Sequence, residues 1–525
     1  MTESVFVSTT IPYVNACPHL GHAFEFVQAD VTARHLARQG KEVFFSSGTD
    51  ENSLKNVQSA EKNGESTADL VRRHAADFAG LMSQLGVVVN RFVRTSVDPD
   101  HRTGAADLWQ RMADRGDIYS RHYEGLYCVG CEEFRTPAEL VGGRCAVHRT
   151  EPSTVRERNY FFRLSKYQDA IVGALTGGDL RIWPASRRNE MLGLVRGGLT
   201  DISISRSVGR AHGWGIPVPG DDSQVMYVWI DALTNYVNAL GWARGSEDYD
   251  RYWRDAGRRI HVMGKDVTRF HAVYWPAMLM SAGLPLPTDV VVHGHVLLSG
   301  QKLSKSLGNV VDPFELMHRY STEAVRFLML AEFSPWADVD FTDQRLVARY
   351  NTDLANGLGN LVDRVTGMTQ RYRDGVVPEA GRRGPLELSL LHSAVETAGG
   401  CRESLDRFDH REAVARIWDL VRAANKYVNL RAPWDLAGAA DSGDTDAATV
   451  LDAALHDLVA TLRTVALLLG PILPGTSAKV LDALGLVVPD TREDGFSALD
   501  GWSPGVAQSK VGHPPHLFPR LELTW

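Results

Sequence analysis

Apolar positions change their spacing several times along the chain. Residues 4–13, SVFVSTTIPY, run apolar and β-branched like a buried strand, and residues 21–40, GHAFEFVQADVTARHLARQG, then take up a helical period that closes at Gly40. Residues 42–52, EVFFSSGTDEN, read as a second strand ending in a polar turn. Strand, helix, strand in that order predicts an α/β fold with a Rossmann-like parallel sheet. From 117 to 225 the texture shifts to glycines, cysteines and short β-like runs, as in an insertion. QVMYVWIDAL (224–233), RRIHVMGKD (258–266) and TDVVVHGHVLLSG (288–300) resume strand character. Beyond 345 the pattern is helical, with loops expected at 374–386 and at GAADSGDTD (438–446). These shifts divide the chain into a first half of the α/β domain (1–116), an insertion (117–225), the second half of that domain (226–290), a loop region (291–345), a helical domain (346–485) and a C-terminal strap (486–525).

Composition narrows the class. With 525 residues, one core does not suffice, and 44% apolar with 23% charged residues is ordinary for a globular protein. No apolar run is long enough for a membrane span, and the N-terminus lacks a secretory pattern. A net charge of −8 opposes indiscriminate nucleic-acid binding but leaves room for a local basic track. Five cysteines make no disulfide framework, and a reducing cytoplasm fits them. Cys128 and Cys131 form C-x2-C, and Cys145 with His148 forms C-x2-H. Three thiolates and an imidazole satisfy a closed tetrahedral structural zinc site, one ion per chain, that braces the insertion. Cys17 and Cys401 stand apart and read as apolar fillers.

The chemistry begins at IPYVNACPHLGHAFE (11–25), between the first strand and the first helix. Small residues at a helix start let phosphate approach backbone N–H groups at the positive end of the dipole. His19 and His22 are spaced to lie together there and donate to charge building on an α-phosphate. A second basic feature, SGQKLSKSLGN (299–309), holds Lys302 and Lys305 among small residues. Lysines clamp β- and γ-phosphates as compact charges, and a mobile loop closes as charge develops.

PHLGH after the first strand and KLSKS before a helical domain resemble the paired signatures of class I aminoacyl-tRNA synthetases. IPYVNACPHLGH, YVWIDALTNY, GKDVTRFHAVYWPAML, KLSKSLGNVVDP and RAPW extend that resemblance, in order, to the methionine-specific family. One departure is Leu303, where the family usually has methionine, a swap that conserves volume. The resemblance implies methionine activation with ATP·Mg²⁺ and transfer to the 3′ end of initiator and elongator tRNA(Met), by a zinc-knuckle-bearing, monomeric enzyme. It implies a phosphate and ribose site at His19, Gly21, His22, Gly264, Asp266, Lys302, Ser304 and Lys305. A methionine site follows at Ile11, Tyr13, Asp50, Trp229, Ala232, Tyr236, Val267, His271 and Trp275, with Asp50 receiving the α-ammonium. An aromatic cage suits a polarizable thioether. Arg206 matches an arginine near the reacting centre.

For tRNA, Asn356, Asn360 and Arg364 stand four apart and are expected on one helix face, where amides and a guanidinium read unstacked base edges. Trp434, after Pro433, is placed to stack on an anticodon base. Three rivals remain. Other class I synthetases carry a larger editing insertion or metal ligands in the amino-acid site, and a small nucleotidyltransferase has no use for the helical domain. A silent RNA-binding paralogue would not need both phosphate motifs.

Overall fold

The computed structural model describes residues 2–129, 133–135, 137–146, 149–303, 310–487, 505–513 and 516–522. The chain divides into one unit of residues 1–29 and 42–293 and a second of residues 30–41 and 294–525.

In the first unit, β1 (Ser4–Thr9) has every residue after Ser4 buried, as its apolar run requires. It leads through a short loop into α1 (Leu20–Arg38), whose last turn carries His35 and Arg38 at the negative end of the dipole. β2 (Glu42–Thr49), α2 (Leu54–Asn63) and α3 (Thr67–Gln84) follow. Ser53 caps α2 by accepting from Lys55 N–H, and Ser66 caps α3 by accepting from Asp69 N–H. β3 (Arg91–Arg94) and α4 (Pro99–Asp114) complete the first half, with Asp98 as N-cap and Pro99 in the first turn.

The next stretch is antiparallel. It contains β4 (Ile118–Cys128), β5 (Glu133–Arg135), β6 (Leu140–Val141), β7 (Arg144–Cys145) and β8 (Ser153–Phe162). β9 (Arg181–Trp183), β10 (Ile202–Ser203), β11 (Ser205–Ser207), β12 (Pro217–Val218) and β13 (Asp221–Met226) come next. β14 (Arg258–Gly264) and β15 (Asp289–His293) then rejoin the main sheet.

That sheet is parallel, in the order β3-β2-β1-β14-β15-β9. The chain order reverses between β1 and β14, so the crevice at their carboxyl ends is where such a fold takes a ligand. β9 sits in the middle of the stretch read as an insertion, yet it pairs Trp183 with Val291 at the sheet edge. Gly48 lets β2 approach β3, because a Cβ there would lie 2.2 Å from the Val93 carbonyl oxygen. The other strands of this stretch form a sheet β10-β8-β4-β5, a sheet β11-β13-β12 and the β6-β7 ribbon, and two helices, Gln168–Gly177 and Ala185–Arg196, flank β9.

One expected strand is half helix. β13 stops at Met226 and Val228–Leu233 is helical. Within that helix all residues but Trp229 are buried, and an apolar run buried on nearly all sides carries no period to separate helix from strand.

In the second unit, β16 (Val296–Leu298) and β17 (Gln301–Lys302) form a hairpin, and β18 (Val339–Asp340) lies parallel to β16. Its two-residue turn has Ser299 at φ 54° and Gly300 at φ 73°, the geometry that matches strand twist. Lys302 therefore stands in a strand paired with Leu297, not in the loop expected of it. The unit is mainly helical among its described residues, and Pro385–Asp406, His410–Arg431, Thr445–Leu469 and Pro474–Ala483 are among its helices. Arg326, fully buried, is held by Asp30 Oδ2 at 2.7 Å and the Ile472 carbonyl at 3.0 Å. The loop expected at 438–446 shrinks, because one helix runs to Asp441 and the next begins at Thr445. Near the C-terminus, Val376 bridges Lys510, and Asn351 exchanges two hydrogen bonds of 2.9 Å with the Leu521 backbone. Among the described residues no helix is long and apolar enough to cross a membrane.

Candidate active site

The crevice is built around the start of α1. His19 and His22 stack, their ring centroids 3.9 Å apart at 19°. Gly21 N–H donates to His19 Nδ1 at 3.1 Å, and His19 N–H donates to His22 Nδ1 at 3.1 Å. Each neutral ring therefore keeps its proton on Nε2, so both imidazoles are donors at that atom. A Cβ on Gly21 would stand 3.0 Å from His19 Cε1, so glycine lets the ring fold back over the helix start.

One turn on, Glu25 ties the carboxyl ends of three strands together. Its Oε1 accepts from Thr10 N–H at 2.9 Å and from the Thr10 hydroxyl at 2.5 Å. Its Oε2 accepts from Gly264 N–H at 3.1 Å and lies 3.2 Å from His293 Nε2. Thr10 follows β1, Gly264 ends β14 and His293 ends β15, so this buried carboxylate spans the switch point.

Beside the crevice lies an aromatic cluster. Trp229 stacks on Phe270 at 3.6 Å and 4°, with Tyr13 and His271 edge-on at 6.3 and 6.5 Å. Trp229, Tyr13 and Val267 are half-buried, whereas Tyr236, Ala232, His271 and Trp275 are buried. Tyr236 and Trp275 lie 6.0 Å apart, and Trp253 packs 6.1 Å from Trp275. His271 Nδ1–H donates to the Val267 carbonyl at 2.9 Å, so Nε2 is the acceptor and the Tyr236 hydroxyl donates to it at 2.6 Å. Burial pulls the His271 pKa down to about 4, against the opposing pull of the Val267 carbonyl and Glu25. His261, buried beneath Tyr236 with ring centroids 4.1 Å apart, is held by Ser8 Oγ at 2.7 Å, and burial pushes its pKa well below the usual histidine value. Phe270–Tyr274 winds as a π-helical turn, a form common at functional sites, and His271 lies in it.

Asp50 is buried at the end of β2, where its N–H donates to the Pro12 carbonyl at 2.9 Å and an isolated bridge sets it beside Tyr13. Ile11 is half-buried in the same segment. Gly264 is half-buried at the crevice, and Asp266 is exposed two residues on. Arg206 lies in β11, buried, with its guanidinium 5.7 and 5.6 Å from the Tyr127 and Tyr227 rings.

Of the remaining expected residues, Ser304, Lys305, Cys131 and His148 lie outside the described residues. Leu303, beside Lys302, is buried. Cys128 ends β4 and Cys145 ends β7, and both are buried. Cys401 is fully buried as expected of a filler, but Cys17 is exposed.

In the helical unit, Asn356 belongs to a π-helical stretch, Tyr350–Gly359, and Asn360 opens the α-helix that contains Arg364. The four-residue spacing therefore crosses a change of helix type, and only Asn360 to Arg364 is a true α-helical step. Both asparagines are exposed. Arg364 donates to Asn429 Oδ1 at 2.8 Å, and its guanidinium lies 5.9 Å from the ring of Trp434, which is 45% exposed.

The comparisons with known proteins agree with this geometry. The family model for class I tRNA synthetases of the methionine type matches residues 5–145 and 135–366, and the anticodon-binding domain of methionyl tRNA ligase matches residues 377–522. A methionine–tRNA ligase from Mesorhizobium japonicum is 40% identical over 525 residues, covering 99% of this chain and 98% of that one. The chain belongs to the methionyl-tRNA synthetases. A Mycobacterium tuberculosis methionyl-tRNA synthetase solved with methionyl-adenylate has a TM-score of 0.92 at 38% identity, covering 99% of this chain and 100% of that one. The apo structure of the Mycobacterium tuberculosis methionyl-tRNA synthetase gives 0.85 at 35% identity over 100% and 99%.

Within this methionyl-tRNA synthetase fold, Glu25 and His261 are the site-shaping residues that sequence reasoning missed. For Glu25 a signal existed, a carboxylate inside the apolar run AFEFV, and carboxylates are rarely buried without partners. His261 had none, since a histidine among strand residues looks like any other.

Proposed function

We propose that the chain activates methionine with ATP to methionyl-adenylate and transfers the methionyl group to the 3′ end of tRNA(Met). The observation that carries this reading is the placement of two Nε2–H imidazoles at the start of α1, on the sheet's switch point, beside an aromatic cluster. Methionine's carboxylate attacks the α-phosphate, and pyrophosphate leaves. His19 and His22 donate to the charge that builds there, and the α1 N-terminus favours it. Mg²⁺ bound with ATP supplies charge neutralisation at the phosphates. Lys302 and Lys305 would hold the leaving pyrophosphate, with Gly21 and Ser304 beside them and Gly264 and Asp266 at the ribose. No protein nucleophile is needed, so catalysis is positioning and electrostatics.

Tyr13, Trp229, Ala232, Tyr236, His271 and Trp275 would receive the thioether side chain, with Ile11 and Val267 as apolar lining. Asp50 would take the α-ammonium, and Arg206 would act near the carboxylate. A neutral His271 suits an apolar substrate, since a charged ring there would demand a counter-ion. Asn356, Asn360, Arg364 and Trp434 would meet the anticodon. Cys128 and Cys145, both buried thiols, fit a structural zinc site that Cys131 and His148 would complete, and the zinc would brace the insertion. The cytoplasm is the location that goes with this role.

The test is ATP–pyrophosphate exchange with each of the twenty amino acids. Exchange dependent on methionine alone is expected. Exchange driven best by another amino acid, or by none, overturns the reading.

A further inference from the structure

Cys17 is exposed in the loop between β1 and α1, two residues before His19. His74 and Asp77 stand one turn apart on α3. Among the described residues these three form a group whose sulfur, ring-nitrogen and carboxylate-oxygen atoms all lie within 4.8 Å of one another. His74 is 95% buried, its exposure being 5%, and its ring is already oriented, with Nδ1 2.9 Å from Asp77 Oδ2.

We propose that Cys17, His74 and Asp77 form a binding site for a thiophilic divalent cation of the zinc and cadmium class, separate from the Cys128 set, and that its occupation inhibits methionine activation. The donor set selects the metal. One thiolate, one imidazole and one carboxylate suit zinc and cadmium, whereas calcium and magnesium prefer oxygen alone. Three protein ligands leave a fourth position for water.

On binding, the Cys17 S–H bond breaks, a sulfur–metal bond forms and one proton goes to solvent. The imidazole gives the metal a ring-nitrogen lone pair. Whichever nitrogen it uses, the Arg73 guanidinium, now 3.1 Å from Nε2, must turn away. Arg73 keeps its ion pair with Glu65 at 2.6 Å, so its charge stays balanced as it moves.

The link to chemistry runs through two neighbours. Cys17 lies on the segment that positions the His19 ring, and Phe78, next to Asp77, packs edge-on against His22 at 5.0 Å and 76°. A metal that joins Cys17 to α3 therefore fixes the histidine segment against that helix. Drawing Cys17 towards the metal also displaces the two imidazoles from the α-phosphate, and a misplacement of about 1 Å can cost on the order of a hundredfold in rate. This consequence rests on the activity proposed above, whereas the metal site itself does not.

The experiment titrates the purified enzyme, with its resident metal, against cadmium. It follows methionine-dependent pyrophosphate exchange and the ultraviolet thiolate-to-cadmium charge-transfer band, read as the difference between wild type and Cys17→Ser so that exchange of metal at the Cys128 set cancels. One added cadmium per chain is expected to raise this difference band and cut exchange at least tenfold. Cys17→Ser is expected to shift inhibition at least tenfold to higher cadmium, and Asp77→Asn to shift it less. No difference band overturns the proposal, as does a Cys17→Ser enzyme with an unchanged inhibition curve. Absence of exchange before cadmium is added would count against the functional reading alone, because the band is read independently.

Discussion

The hydroxyl of Tyr236 donates to His271 Nε2 at 2.6 Å while the opposite ring nitrogen donates to the Val267 carbonyl at 2.9 Å. The carbonyl fixes the tautomer, and the tautomer fixes the direction of the phenol's proton. Tyr236→Phe leaves a buried acceptor without its donor, which costs about 1–3 kcal/mol. We expect KM for methionine to rise roughly five- to a hundredfold with kcat little changed, and thermal unfolding to move down. Unchanged methionine affinity would remove this pair from specificity.

Glu25 holds Thr10, Gly264 and His293 at once. Glu25→Gln keeps one acceptor oxygen but turns the other position into a donor facing a donor. Hydrogen bonds to a charged group contribute about 1.5–3 kcal/mol each, so both stability and the rate of adenylate formation should drop. Single-turnover adenylate formation is expected to slow at least tenfold, and denaturant midpoints to shift down. A variant with normal rate and stability would show that the strand ends do not need this carboxylate.

Acid sensitivity follows from buried imidazoles. In the folded chain burial lowers the His271 pKa from 6.5 to about 4 and the His410 pKa from 6.5 to about 3, the latter helped by neighbouring His35. The unfolded chain takes up these protons below about pH 6.5 and the folded chain does not, so stability rises with pH through that window. It is complete above about 6.5 and is lost as pH falls towards 4. His410→Gln, read by urea unfolding at several pH values, should flatten the slope between pH 6.5 and about 4. An unaltered slope would mean that His410 is protonated when folded.

Lys305 is expected to act mainly in the transition state, where charge on departing pyrophosphate peaks. Removing one charged donor of this kind typically costs about 2.7–4 kcal/mol. Lys305→Ala should slow adenylate formation, measured without tRNA, about a hundred- to thousandfold while methionine affinity stays put. Lys302→Ala should do less. A wild-type rate for Lys305→Ala, with a loss only in charging, would assign the lysine to tRNA phosphates.

Trp434 is 45% exposed, so a large part of its ring is open to a base. Stacking on a base contributes about 1–3 kcal/mol. Trp434→Ala should reduce tRNA charging by roughly five- to a hundredfold and leave pyrophosphate exchange as it was. Parallel loss of both would mark it as a packing residue.

Sequence was most informative where period and caps agree. β1, α1 and β2 follow from a short apolar run, a helical period and a closing glycine. The stacked histidines follow from spacing at a helix start. Sequence was least informative where burial is complete or helix type changes. VWIDAL has no polar face to mark it as a helix, and Asn356 sits in a π stretch that no residue pattern announces. β9 escaped because a three-residue strand leaves too short a pattern. Glu25 meets Gly264 and His293, and His261 meets Ser8, only through the sheet order, a non-local fact that spacing along one chain does not encode.

The π turn at Phe270–Tyr274 makes chain length itself part of how the aromatic cluster is set. It stores one residue more than an α-helical turn would hold between the Lys265–Val267 turn and the helix Trp275–Ala282. A residue lost from an ordinary α-helix rotates everything behind it by about 100°. Lost from this wide turn, it would let the segment relax to an α-helix with the helix behind it still in register. Trp275 would keep its place against Tyr236, and only the contact that the His271 ring makes from inside the turn would be reset. The turn is a one-residue reserve of length set directly under the aromatic cluster.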